Sequence, residues 1–312
     1  MDEQKRAMID AVKAGLLENI PAMRKLNCEI PVSGERRNLT MPDREIPIVY
    51  YKAEKEHAPL IIGFHGGGYM LGGAALNDDM WLAVRDSLEM NVASVDYRKS
   101  PEYQWKEALD DAYDASVYLK EYASEFGFDP EKIYVMGTSS GGGLAASVCL
   151  YANRQKNNLY TGQILLYPFL DTDTDPDSKG EGSLTGPIMY VFNELHCSPQ
   201  ESKNPLVSPV FALQEDLIGL PPAILVYAEN DNLKTEGRQY AEMLRGAGVP
   251  VADQLVAGMS HGYFDSGFTD PSELEHGFLS MMSVSESDKK LLKDGSFHTA
   301  SLETLEFIKE NL

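Results

Sequence analysis

The sequence predicts an α/β fold, a mostly parallel central sheet with helices on both faces. Three observations point to it. From about residue 44 onward, short β-rich runs alternate with stretches of helical patterning, the order that a parallel sheet with crossover helices requires. Several of the runs are apolar throughout, as strands covered on both faces must be. The chain has 312 residues, 43% of them apolar and 24% charged. That is enough to bury roughly three quarters of its unfolded surface around one core.

Taken in order, the predicted strands are Glu45–Lys52, Pro59–Phe64, Asn91–Asp96, Lys132–Met136, Gly162–Tyr167, Pro222–Tyr227 and Val251–Val256. Between them Trp105, Ala108, Leu109, Ala112, Ala115 and Leu119 recur at helical spacing. The stretch from Lys234 to Leu244 ends at Gly246, a residue suited to stopping a helix. Two segments interrupt the alternation. The first 27 residues read as an amphipathic helix (Met8, Val12, Leu16, Ile20, Met23) that precedes the sheet and must pack on its rim or fold over it. The stretch from about Leu184 to Leu220 is irregular and rich in Met, Phe, Leu and Pro. No internal repeat, long low-complexity tract or evident boundary divides the chain. We therefore expect one domain over residues 1–312, with 1–43 and about 184–220 as partial lid or cap segments. The alternative for both is peripheral decoration.

Composition excludes several function classes. The 27 basic and 48 acidic side chains give a formal charge of −21. So negative a surface repels nucleic acid and anionic lipid, and neither is expected as a partner. The first 20 residues, MDEQKRAMIDAVKAGLLENI, mix acids and bases with apolar residues, and no uncharged apolar run approaches the roughly 20 residues of a membrane span. A cytoplasmic location without membrane insertion is the expectation, and a homo-oligomer is left open. The three cysteines, Cys28, Cys149 and Cys197, form no CxxC pair, so neither a zinc knuckle nor a thioredoxin-type site is supported.

Chemistry enters where strands end. Phe64 closes an apolar run and is followed by His65-Gly66-Gly67-Gly68-Tyr69, a turn whose glycines leave backbone N–H groups open to a ligand. Random use of this chain's own His and Gly would supply HGGG only about 0.003 times. Gly137-Thr138-Ser139-Ser140-Gly141 follows the run Lys132–Met136 and precedes an apolar helical stretch. By composition a G-x-S-x-G is expected about 0.16 times, so its weight comes from context. A sharp strand-to-helix turn accommodates a strained serine only between small residues, and it lifts the hydroxyl clear of the sheet. A Walker phosphate turn lacks its Gly-Lys-Ser/Thr, and a dinucleotide G-x-G-x-x-G fails at Leu71.

A serine hydroxyl is a weak nucleophile at neutral pH, so Ser139 needs a base and the base an orienting carboxylate. The run Pro222–Tyr227 leads into Ala228-Glu229-Asn230-Asp231, and the run Val251–Val256 into Gly258-Met259-Ser260-His261-Gly262-Tyr263. On these residues the sequence resembles the bacterial hormone-sensitive-lipase-like esterases, the α/β-hydrolase group that includes acetyl esterases. The resemblance runs from about residue 44 to the C-terminus. HGGGY at 65–69 matches the family's oxyanion motif, and Asp96-Tyr97-Arg98-Lys99-Ser100-Pro101-Glu102 its DYR-x-x-PE turn. GTSSGG at 137–142 is similar to its GDSAGG, and Asp231-Asn232-Leu233-Lys234-Thr235-Glu236-Gly237 to its D-P-L-R-D-E-G. The step of 30 from Asp231 to His261 is the family's spacing from acid to histidine. Thr138, Ser140, Asn232, Lys234 and Thr235 depart from the pattern, standing for Asp, Ala, Pro, Arg and Asp, and none removes a group the chemistry needs.

The resemblance implies a serine carboxylesterase acting on short acyl esters of small molecules, with Ser139 as nucleophile, His261 as base and Asp231 as the orienting acid. The backbone N–H groups of Gly66, Gly67 and Ser140 form the implied oxyanion hole, and no metal or cofactor is called for. An amidase or arylformamidase on the same residues is the alternative, and a non-catalytic receptor on the scaffold a more distant one. Lesser candidates are weighed beside these. Glu229 competes with Asp231 and fits the motif less well. His276, in a second His-Gly-aromatic (Glu275-His276-Gly277-Phe278), stands 45 residues from Asp231 with no apolar strand leading into it. Arg98 and Glu102 are read as a pair holding a turn, and His65 as shaping its own turn. His57, His196 and His298 have no motif around them and are expected at the surface or satisfied. The run from Asp171 to Asp177 fails the calcium-loop pattern, with Pro176 in place of Gly and Gly182 in place of the bidentate Glu, and is expected to be a solvated loop. If the acidity of loop 171–182 and the lid surrounds the pocket mouth, neutral or cationic esters are preferred over anionic ones.

Overall fold

A computed structural model describes residues 2–184, 186–272 and 285–312. Its strands are β1 (Glu35–Thr40), β2 (Glu45–Tyr51), β3 (Leu60–Phe64), β4 (Asn91–Val95), β5 (Ile133–Thr138), β6 (Gly162–Leu166), β7 (Ala223–Asn230) and β8 (Val251–Ser260). They lie side by side in the order β1-β2-β4-β3-β5-β6-β7-β8. The first two pair antiparallel, β2 joins β4 antiparallel, and from β4 to β8 every pairing is parallel. The expected mostly parallel sheet is present. Its edge β1 was not foreseen, because ERRNLT buries one apolar side chain, Leu39, and carries charge instead. Charge on an edge strand discourages further pairing.

The helices are α1 (Glu3–Glu29), α2 (Asp78–Leu88), α3 (Trp105–Glu121), α4 (Ala123–Phe126), α5 (Ser140–Arg154), α6 (Gly186–His196), α7 (Gln214–Leu217), α8 (Lys234–Gly246), α9 (Tyr263–Ser266), α10 (Glu286–Lys293) and α11 (Ser296–Asn311). Alternation along the buried strands sends side chains to both faces of the sheet. Ile62, Phe64, Val95, Val135, Leu165 and Leu225 belong to the core beneath α3, α5 and α8. Ile61, Val92, Met136, Ile164 and Val226 belong to the core beneath α2 and α11. Truncating one of these fully buried side chains to Ala costs about 2–5 kcal/mol. The helix α5 is buried along most of its length, which its run of Gly, Ala, Leu and Val permits without polar loss.

The two segments outside the alternation pack on one another. The α1 helix is capped by Asp2, whose side chain accepts from the Lys5 N–H, and it lies against α6. Ile9, Ile20 and Met23 are buried and Val12 and Leu16 half-buried, whereas Met8 is 53% exposed, one position off the seam. Arg6 and Lys13 of α1 both pair with Glu194 of α6, and Lys5 pairs with Asp177. Among the described residues no helix is long and apolar enough to cross a membrane. All three cysteines are free, Cys28 exposed and the other two buried.

Candidate active site

Ser139 sits between β5 and α5 with φ 52° and ψ −120°. A residue with a side chain holds this left-handed backbone only where its surroundings impose it. Three backbone hydrogen bonds impose it here. The Ser139 N–H donates to the Leu166 carbonyl at 3.0 Å, and its own carbonyl accepts from Gly143 at 3.1 Å and Phe169 at 2.9 Å. Close crossing explains the small flanking residues. A Cβ on Gly137 would lie 2.1 Å from the Gly141 carbonyl oxygen, and one on Gly141 would lie 2.0 Å from that of Phe64. Only glycine fits at either place, and the half-buried serine hydroxyl is delivered to the N-terminal end of α5.

β7 and β8 run beyond their apolar stretches, to Asn230 and Ser260, and their ends bring two more side chains to this spot. His261 Nε2 is 2.8 Å from Ser139 Oγ, and its Nδ1 is 2.7 Å from Asp231 Oδ2. Asp231 is fully buried and also accepts the Leu233 N–H at 2.9 Å. The His261 backbone N–H donates to Ser183 Oγ at 3.0 Å. Burial works against the imidazolium, but the Asp231 carboxylate, with Asp265 and Glu236 behind it, outweighs burial and raises the pKa above the ordinary histidine value. The ring is therefore a stronger base than free imidazole.

The HGGG turn lies against the serine. A Cβ on Gly66 would meet Thr138 Oγ1 at 3.2 Å and Ser139 Cβ at 3.4 Å, so the turn's backbone runs past the nucleophile position. Gly67 adopts φ 120°, which a side chain rarely permits. Gly66 and Gly67 donate their N–H groups to no acceptor among the described residues, and Ser140, first in α5, has the unpaired N–H of any helix start. His65 stacks on Tyr97 with ring centroids 4.3 Å apart, and its Nδ1 lies 2.8 Å from the Gly66 carbonyl oxygen. Burial, aided by the Lys99 charge, drops its pKa to about 3, so it is a neutral ring that shapes the turn. From the other side α6 closes in. A Cβ on Gly68 would overlap the Phe192 ring at 2.4 Å, and His196 stacks on Tyr69 at 3.6 Å.

Ser139, Asp231 and His261 are thus brought into one hydrogen-bonded chain, with Gly66, Gly67 and Ser140 beside it. A hydroxyl against an imidazole whose far nitrogen faces a buried carboxylate can attack an acyl carbon while the ring takes its proton. Glu229 is exposed and engaged elsewhere, accepting the Gly258 N–H at 2.7 Å. His276 lies outside the described residues. Three expectations need correcting. Arg98 and Glu102 do not pair with each other, since Arg98 bonds Asp111 at 2.9 Å and Glu102 pairs with Arg24 at 2.6 Å, so the turn is tied to α3 and α1 separately. His196 is neither exposed nor satisfied, because it is buried with its Nδ1 unpartnered and its pKa falls to about 3 by burial. His57 and His298 are exposed. The acidic run is not wholly solvated either: Asp171 is buried and accepts the N–H groups of Asp173 and Thr174, both at 2.9 Å. Among the described residues no cluster of His, Cys, Asp and Glu could hold a metal ion.

Sequence reasoning missed the residues that support this chain. Asn232 accepts the Leu184 N–H at 3.1 Å and donates to the Gly180 carbonyl at 2.9 Å, so it pins the loop that carries Ser183 to the acid. Tyr167 meets the His261 ring edge-on at 5.0 Å, and its hydroxyl donates to Asp265 at 2.7 Å. The one available signal was a carboxylate four residues beyond the histidine.

Comparison with known proteins fits this picture. A family model described as the alpha/beta hydrolase fold matches residues 61–265. An arylesterase of Saccharolobus solfataricus is 35% identical over 242 residues, covering 75% of this chain and 78% of that protein. The carboxylesterase NlhH of Mycobacterium tuberculosis is 31% identical over 239 residues, covering 74% and 75%. The solved structure of an esterase from Pyrobaculum calidifontis superposes with a TM-score of 0.73 at 27% identity, covering 96% of this chain and 94% of its own.

Proposed function

From the premise that this chain belongs to the hormone-sensitive-lipase-like carboxylesterases of the α/β-hydrolase superfamily, we propose that it hydrolyses short-chain esters through an acyl-enzyme on Ser139. The observation that carries this is the unbroken chain from Ser139 Oγ to His261 to the buried Asp231. As Oγ attacks the ester carbonyl, Nε2 takes its proton, and Asp231 holds the ring in the tautomer that leaves Nε2 free and stabilises its cation. The oxyanion is met by the N–H groups of Gly66, Gly67 and Ser140, which have no backbone acceptor among the described residues. The imidazolium then gives its proton to the departing alcohol. Water repeats the cycle on the acyl-enzyme, with His261 again the base.

Short acyl groups are supported by the contact of α6 with the HGGG turn, where Phe192 and His196 take up the space beside Gly68 and Tyr69. An ester substrate is favoured over an amide because the curated relatives are named as ester hydrolases. A complete relay is not what a binding protein needs. An acyl-length series of nitrophenyl esters, run beside an acetyl anilide, tests the proposal. The rate is expected to peak at acetyl to about hexanoyl and to be far lower on the anilide. A preference for long acyl chains or for the anilide would contradict it.

A further inference from the structure

We propose that Asp265 is a positioning residue for the hydrolytic centre, its carboxylate holding the Thr138 hydroxyl before the nucleophile and the Tyr167 hydroxyl beside the base. The inference rests on the roles given above to Ser139 and His261.

Asp265 lies in α9, four residues after His261, and its carboxylate receives donors from three other segments of the chain. Oδ1 accepts from Thr138 Oγ1 at 2.8 Å and from Asn77 Nδ2 at 2.9 Å, and Oδ2 accepts from the Tyr167 hydroxyl at 2.7 Å. The Asp265 backbone N–H returns a bond to the same Tyr167 oxygen at 3.2 Å. Three donors on two oxygens suit an anion, because a protonated carboxyl would need an acceptor for its own proton. Burial raises the Asp265 carboxyl above the ordinary aspartate value, and the hydrogen bonds from Tyr167 and Thr138 pull against that rise.

Each partner leads to the reacting groups. Thr138 is the residue before Ser139, at the end of β5. Tyr167 follows Leu166, whose carbonyl holds the Ser139 N–H, and it occupies a left-handed backbone of φ 36° that its bonds to Asp265 help hold. Its ring edge meets the His261 ring. The charged and titratable groups facing His261 are Asp231 from the end of β7, Asp265 from α9 and Glu236 from α8, with Tyr167 after β6. Asp265 is thus a second negative charge toward the imidazolium, while Lys179 neutralises Glu236. The elbow position that is Asp in the resembled pattern holds Thr138 here. The carboxylate at this place now comes from the histidine loop.

The test compares pH profiles of kcat and KM on nitrophenyl acetate for the unaltered protein, Asp265→Asn, Thr138→Val, Thr138→Asp and Thr138→Asp/Asp265→Asn. Loss of the charge in Asp265→Asn should move the acid limb of kcat/KM down by about half a pH unit and lower kcat roughly tenfold with KM little changed. Thr138→Val keeps the charge, so kcat should fall without movement of the limb. Thr138→Asp sets two carboxylates at one point and should be the worst, and the double variant, with one carboxylate again, should recover most of the lost rate. An unmoved limb with unaltered kcat in Asp265→Asn, or a double variant as poor as the product of its singles, would overturn the proposal. Fluorophosphonate labelling separates this failure from that of the wider reading. A null Asp265→Asn with Ser139 still labelled removes only the role of Asp265, whereas absence of label from Ser139 removes the mechanism itself.

Discussion

Ser139 Oγ and His261 Nε2 stand 2.8 Å apart, joined across 122 positions of sequence by a turn after β5 and the extended end of β8. The proposed mechanism needs the hydroxyl and nothing else of that side chain. Ser139→Ala should lower kcat on nitrophenyl acetate by roughly 10⁴-fold or more, with thermal unfolding little changed. A variant that kept even a tenth of the activity would place the nucleophile elsewhere.

Two carboxylates lie near the end of β7, and the structure separates them. Asp231 is fully buried on His261 Nδ1, whereas Glu229 is exposed and bonds the Gly258 N–H. Asp231→Asn preserves shape but favours the wrong tautomer and should cost about 10⁴-fold in kcat. Glu229→Gln should stay within about threefold, since it loses only an exposed hydrogen bond. Steady-state kinetics on the two variants decides between them, and the reverse order would reassign the acid.

The pH dependence has a definite sign. His261 acts as a base only when neutral, and Asp231 outweighs burial to raise its pKa above the ordinary value. Activity should therefore be low in acid and rise through a midpoint above about 6.5. Measurement of kcat/KM from pH 5 to 9 checks it. A rate level down to pH 5 is incompatible with His261 as base.

Beside the site lies one buried ion pair, Lys179 with Glu236. Lys179 Nζ lies 2.5 Å from Glu236 Oε2, both almost without exposure, and Glu236 Oε1 accepts the Leu170 N–H at 2.6 Å. Burial pushes the Glu236 carboxyl up to about 7 even though Lys179 pulls it down. Lys179→Met leaves that carboxyl buried without its partner and should cost about 3–5 kcal/mol in urea unfolding. Lys179→Met/Glu236→Gln should recover a substantial part. Equal losses in the single and double variants would show that the pair is not coupled.

Much of the frame and of the site was legible in the sequence, for physical reasons. Strands covered on both faces must be apolar throughout, so β3 to β7 announce themselves, whereas β1 lies at an edge and buries only Leu39. The HGGG turn at 65–69 and the crossing at 137–141 demand glycine and so leave a readable pattern, and Asp231 and His261 directly follow the ends of β7 and β8. Asn232, Ser183, Tyr167 and Asp265 carry no such pattern. Their contacts join segments 48 to 127 residues apart, and any polar residue could stand there until the fold shows what it faces. The Arg98 and Glu102 expectation failed for the same reason, since proximity in sequence does not decide between a neighbour and the more distant Asp111 and Arg24.

The proposed hydrolysis runs through an acyl-enzyme on Ser139. Its most direct test is peptide mass spectrometry of the protein after reaction with a fluorophosphonate, with His261→Ala alongside. One adduct per chain is expected, located on Ser139 and formed far more slowly in the variant. An adduct on another serine, or none under conditions where the protein hydrolyses nitrophenyl acetate, would contradict it.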